Sequence, residues 1–173
     1  GPNPMKQIEH FRPDLIQVHN LFPNWSDRWL KSIHVPVVTT LHNYRPLCAA
    51  GTLLRDGAFC DLCPTRGSHN ALIHGCYQGS HLRTLPLAVR TKNPRKNLSL
   101  ALSNAIIVKS KDAKSAYCNY LPAEMARKIH VIGNFVAKED DIPSRVLIES
   151  EPTWVFAGRL APEKGVLELV QAW

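Results

Sequence analysis

Val35-Pro36-Val37-Val38-Thr39-Thr40-Leu41 is a nearly continuous β-branched run with proline at its start. Such a run suits a strand of a parallel sheet covered on both faces, and proline is tolerated at a strand's first residues. Other short runs repeat the theme. Asp14 to His19 reads as a strand, with Arg12-Pro13 setting an extended approach, and Ala105 to Val108 and Ile129 to Ile132 read as two more. Between them lie helical patterns. Asn24 is a candidate N-cap for a helix whose Trp25, Trp29, Leu30 and Ile33 share a face. A helical stretch over 82–89 is interrupted at Asn93-Pro94, an apolar pattern resumes over 98–102, and Ser110 is placed to cap a helix through Ala113, Ala116 and Tyr117. Strands alternating with helices predict an α/β chain built on a parallel, Rossmann-like sheet.

After residue 136 the pattern restarts. Polar Lys138-Glu139-Asp140-Asp141 reads as a linker, Thr153 to Ala157 as a strand, and Val166, Leu169, Val170 and Trp173 as one face of a closing helix. The organisation expected is an incomplete pair of domains: 1–136 as part of the first, with a long loop at 42–80, and 137–173 as the start of a second. A hydrophobic fraction of 45% with 20% charged residues is that of a globular chain, and no apolar run is long enough to cross a bilayer. Without a basic-plus-apolar leader at its start, the sequence reads as cytoplasmic.

The net charge of +7 is concentrated. Between His81 and His130 ten Lys and Arg stand against Asp112 and Glu124, a net +8, and the rest of the chain is −1. A patch of this kind attracts anionic lipid, phosphate-bearing substrates or nucleic acid, or is simply a solvated face. Nucleic acid is disfavoured because aromatic side chains that would stack with bases do not interleave with the cations.

Two constellations carry chemistry. Gly158-Arg159-Leu160-Ala161-Pro162-Glu163-Lys164-Gly165 follows the expected strand and opens the expected helix. Glycine lets backbone approach a ligand closely, and Arg159 and Lys164 supply cations, a combination suited to a diphosphate; a plain turn with two surface cations is the alternative. Cys48, Cys60, Cys63 and Cys76 all fall inside the long loop, where Cys60-Asp61-Leu62-Cys63 is a C-x-x-C chelate. Four soft ligands would pin a loop that shows no core of its own, with structural zinc favoured over an iron–sulfur cluster, and unliganded thiols or disulfides as the other readings. Cys118 stands alone on a helix and reads as a plain core residue.

The octet resembles the G-R-L-x-x-E-K-G signature of the family-4 (group 1) glycosyltransferases, enzymes of the GT-B fold with two facing Rossmann-like domains. Four further passages resemble the family in order. They are Arg12 to His19 (its P-D strand ending in histidine), Val37 to Asn43 (V-x-T-x-H), Ala105 to Ser110, and Val131 to Val136 (I-P-N-G-V). His42-Asn43-Tyr44-Arg45, Cys48, Arg55-Asp56-Gly57, Cys60, Cys63 and Cys76 also resemble a loop of some bacterial polysaccharide glycosyltransferases.

The resemblance implies a partial acceptor-side domain followed by the start of a donor-binding domain. It implies that Arg159 and Lys164, with Gly158, hold the diphosphate of a nucleotide-sugar donor, and that His42 faces the donor sugar as the candidate catalytic residue. His19 reads as structural. The partners implied are a nucleotide sugar and a saccharide or lipid-linked acceptor, with transfer by retention, and with residues 81–130 touching the inner face of a membrane. Gly133 replaces the family's proline and Phe135 its glycine. The family's glycine-rich first loop and its E-x-x-x-x-x-x-x-E element are not in this sequence, so the chain by itself is expected not to catalyse. The competing reading is a basic, metal-pinned module that binds nucleic acid or an anionic membrane.

Overall fold

A computed structural model describes residues 4–21, 25–135, 155–161 and 164–172. They fall into two compact units, Gly1–Gly133 and Asn134–Trp173. The first unit is α/β. Helix α1 (Met5–Phe11) leads into β1 (Ile16–His19), a 3-10 turn at Arg28–Ser32, and β2 (Val37–Thr40). A long excursion carries the hairpin β3 (Leu54–Arg55) and β4 (Ala58–Phe59), then α2 (Leu62–Arg66), α3 (His69–Ile73), α4 (His81–Thr91), a 3-10 turn at Pro94–Lys96 and α5 (Leu98–Ala101). The chain returns through β5 (Ala105–Val108), α6 (Lys111–Tyr120), α7 (Ala123–Ala126) and β6 (Ile129–Val131).

The sheet has the order β1-β2-β5-β6, every neighbouring pair parallel. This is the Rossmann-like sheet the alternating pattern predicts. Because the strands run the same way, their C-terminal ends lie along one edge, where open α/β sheets bind ligands. His19 pairs in register with Thr40, and one residue further along the Leu41 N–H donates to the Ile107 carbonyl of β5 on the other side of β2. His42 follows directly.

Local chemistry explains the elements. Ser110 accepts from the Ala113 N–H and opens α6 as its N-cap, and Ser80 does the same for α4 through the Arg83 N–H. Pro86 sits inside α4, which runs on to Thr91. Leu100, Ile106, Val108, Tyr117, Leu121, Met125 and Ile129 form the main core against the sheet.

Several expectations are corrected. The excursion has a core of its own: Leu47, Cys48 and Leu53 join the main cluster, and Ala49 and Ala71 are fully buried with Leu87 and Ala88. Asp56-Gly57, both at positive φ (52° and 76°), make the two-residue turn that hairpins of this length favour, so the segment holds regular structure where its periodicity predicted none. The helix expected from Asn24 is described only from Trp25 onward. It is a 3-10 turn rather than an α-helix, because Ile33 is already extended just before the residues that Pro36 restricts. Trp29, Leu30 and Ile33 still pack together, with Val18 and Val37, while Trp25 is exposed. Cys118 is exposed on α6, next to the buried Tyr117 and turned away from the core.

In the second unit, α8 (Val166–Ala172) forms as expected but has no buried residue. Of the strand expected over 153–157, residues 153 and 154 lie outside the described residues and 155–157 form no strand. A strand is held by hydrogen bonds to a neighbour, and no other strand of that unit is among the described residues to pair with it.

Candidate functional site

The strand ends assemble the most structured cluster of functional groups. His19 closes β1 and His42 follows β2, and pairing of the two strands sets their rings side by side, with Nδ1 of His19 2.8 Å from Nε2 of His42 and ring centroids 5.1 Å apart. Lys109, just after β5, acts on His42 electrostatically. His42 is held below the ordinary imidazole pKa of 6.5, first by desolvation, then by His19 and Lys109, each of which opposes a second positive charge. Near neutral pH His42 is therefore a neutral imidazole. With Nε2 committed to His19, its Nδ1 is the nitrogen that can meet a ligand.

The loop after His42 is fixed from two sides. The Tyr117 hydroxyl donates to the Asn43 carbonyl, and the Tyr44 N–H donates to Gly51, whose φ of +84° and tight approach to the Arg45 side chain (3.1 Å from a would-be Cβ) favour glycine. A cavity of about 60 Å³ opens beside His42, with Thr40, Arg45, Arg90 and Asn97 also in its wall. Arg90 reaches the buried Asp27 through Nη2 at 2.5 Å. Arg45 donates to the Ala49 carbonyl at 2.7 Å and lies over the Tyr77 ring, 4.9 Å from its centroid. Asn97 is buried, and its Oδ1 has no hydrogen-bond partner.

The octet lies in the second unit. Arg159 and Lys164 are exposed, Gly165 has a φ of +65° at the start of α8, and the Lys164 N–H donates to the Ala161 carbonyl at 2.9 Å. A Cβ at Gly158 would come 3.1 Å from the Phe156 ring. Pro162 and Glu163 of the signature lie outside the described residues.

The four loop cysteines are neighbours. Cys48 is buried in the main core, Cys63 and Cys76 pack half-buried against the cluster of Ala49 and Ala71, and Cys60 follows the hairpin. Burial pushes the Cys63 thiol up to about 11, with Cys48, Cys76 and Cys60 adding to the shift, and burial with Cys48 and Cys60 raises Cys76. The donors are of the soft type that zinc takes. Among the described residues, however, no three His, Cys, Asp or Glu side chains stand at metal-ligand spacing, so this arrangement does not form a tetrahedral centre.

His42 was legible from sequence. The partnership with His19, the Asp27–Arg90 pair and Asn97 were not. A histidine at the end of one strand and another just after the end of the next are a signal for the first, once the strands are known to be neighbours. The others join residues 63 apart, or depend on where a short helix begins.

The sequence profile of Glycosyltransferase Family 4 matches residues 3–140. The chain belongs to glycosyltransferase family 4. No curated protein and no solved structure matches it. The match covers the whole described first unit, so the histidine pair, the cavity and the cysteine loop all lie within the glycosyltransferase domain. The octet lies beyond residue 140. Among the described residues no helix is long and apolar enough to cross a membrane.

Proposed function

We propose that this chain is the larger part of the acceptor-side domain, and the start of the donor-side domain, of a GT-B enzyme that transfers a sugar from a nucleotide-sugar donor to a saccharide or lipid-linked acceptor, with retention. The observation that carries this reading is a family-4 domain presenting a neutral, partnered His42 at the C-terminal edge of its parallel sheet. His42 offers Nδ1 to a sugar hydroxyl. Arg159 and Lys164, on the Gly158–Gly165 turn, neutralise the departing diphosphate, and stabilising that charge is the largest electrostatic demand of the reaction.

Contact with an anionic membrane is part of the proposal. On α4, Leu82 and Val89 are 84% and 66% exposed and share a face with Leu85, while Arg83, Lys92, Arg95 and Lys96 lie close by in the basic segment. Structural zinc at Cys48, Cys60, Cys63 and Cys76 is a separate proposal. It is supported by donor type and proximity, and it requires the sulfurs to draw together.

The test of the main reading is transfer by the full-length parent. Replacing both Arg159 and Lys164 by alanine is expected to lower kcat by roughly 10²–10³-fold, the scale of losing a charge-stabilising contact. Undiminished turnover in the folded double variant, or indifference of the parent to every activated sugar, would refute the assignment.

A further inference from the structure

We propose that the cavity beside His42 is a subsite for a saccharide carrying a negatively charged substituent, a carboxylate or a phosphate, with Arg45 and Arg90 facing the charge and Asn97 accepting from a neighbouring hydroxyl. The inference rests on the glycosyltransferase reading for the placing of a sugar at His42, and adds the chemical class of that sugar.

Among the described residues the cavity wall contains two arginines and no acidic residue. Asp27 pairs with Arg90 and does not line the cavity. Both guanidinium groups are held before any ligand arrives, Arg90 by Asp27 and Arg45 by the Ala49 carbonyl and the Tyr77 ring. A pre-positioned guanidinium loses little freedom on binding, and its planar fork of donors matches a carboxylate or phosphate. The bond to Ala49 occupies one of the five N–H groups of Arg45.

Asn97 supplies the second, independent observation. It occupies the N-cap position of α5, where an asparagine side chain ordinarily accepts from the helix's first N–H groups, yet it makes no such bond. Asn97 is only 8% exposed and lines the cavity, and its Oδ1 is buried without a partner. A buried acceptor left without a donor is a standing cost, and a ligand hydroxyl removes it once the amide turns toward the cavity. A charge-matched pair of arginines beside an orphaned acceptor selects a ligand that is both anionic and hydroxylated. The space of about 60 Å³ holds a few waters, and so one such group with its neighbour.

The experiment is a titration of the isotopically labelled 173-residue chain with glucuronic acid, glucose 6-phosphate, glucose and inorganic phosphate, followed by NMR at the Asn97 amide and the His42 ring. The acidic sugars are expected to shift both signals, and the one that does so at the lower concentration names the substituent. Glucose and inorganic phosphate are expected to bind about tenfold more weakly, and Arg45→Gln to weaken the acidic sugar by about tenfold, as loss of a charged hydrogen bond does. Asn97→Asp keeps a good N-cap residue but sets a negative charge in the wall. It is expected to retain the fold and abolish binding, which separates a ligand role from a capping one. Glucose binding as tightly as glucuronic acid, inorganic phosphate binding as tightly as the sugar phosphate, Asn97→Asp binding like the parent chain, or no shift at either residue would each overturn the subsite. None of these results touches the turnover test at Arg159 and Lys164, so the two readings fail separately.

Discussion

The strand-end site of the first unit and the Gly158–Gly165 turn of the second carry the two halves of the proposed chemistry in unlike surroundings. Around His42 nearly every group is braced: His19 against the ring, Tyr117 on the Asn43 carbonyl, Asp27 on Arg90, and fully buried Leu100 and Ile106 below. In the second unit α8 buries nothing, and Leu160, Leu167 and Val170 are 83%, 66% and 68% exposed. The region with the more recognisable sequence motif has the less packing around it. A motif for phosphate needs glycine and two cations, which sequence displays openly, whereas positioning a ring to a fraction of an ångström needs support from distant elements.

The largest effect that would break or sharpen this contrast is on stability. Leu100 is 0% exposed in the main core, and Leu100→Ala is expected to cost about 2–5 kcal/mol, the range for emptying a leucine site that cannot collapse. Leu169, 41% exposed on α8, is expected to change stability by no more than about 0.5 kcal/mol when replaced by alanine. Urea unfolding of both variants measures the pair. A Leu169→Ala cost equal to that of Leu100→Ala would show that α8 is packed in solution, and the contrast between the units would be lost.

That contrast also marks what the sequence could show. The parallel sheet was legible because Val37 to Thr40 and Ala105 to Val108 are β-branched or apolar runs whose burial does not depend on a partner's identity. Capping by Ser110 was legible because the N-cap rule acts within three residues. The core of the 42–80 excursion was not. Leu47, Ala49, Leu53 and Ala71 follow no helical or strand period, and their burial comes from α4, α5 and α6 folding over them. Asp56-Gly57 is a turn signal, but flanking strands of two residues are too short to show the alternation that would have marked a hairpin. At the site, His42 was readable from its place after a strand. His19 joined it only through strand register, and Asn97 stood out only through the failure of a cap that local rules would grant it.

The cysteine loop offers a smaller effect and bears on why the first unit is rigid. If apolar packing alone holds the excursion, a metal adds nothing; if the sulfurs close on zinc, it adds to a loop already folded. Under the zinc proposal the chain carries one zinc, Cys63→Ser loses it, and chelation lowers Tm by about 2–4 °C per kcal/mol of metal contribution. Zinc analysis and a melting curve with and without chelator check this. A metal-free chain whose Tm ignores both zinc and chelator would end the proposal and leave packing as the whole account.

The smallest effect tests the bracing of His42 itself. Desolvation is the leading cause of its lowered pKa, with His19 and Lys109 following. His19→Ala is therefore expected to raise the His42 pKa toward 6.5 without reaching it, since desolvation and Lys109 remain. His19→Asn removes the charge and keeps a hydrogen-bonding side chain, so it should raise the pKa similarly while preserving ring orientation. The sign on stability follows from linkage. A histidine whose folded pKa lies below its unfolded value favours folding above the unfolded value, and that contribution is lost as pH falls through the folded pKa. The loss is expected to begin below pH 6.5 and to be smaller in both His19 variants than in the parent chain. Imidazole ¹⁵N titration measures the pKa directly. An unchanged His42 titration in His19→Ala would show that the two rings merely sit together, and the bracing of His42 by its neighbour would be lost from the contrast.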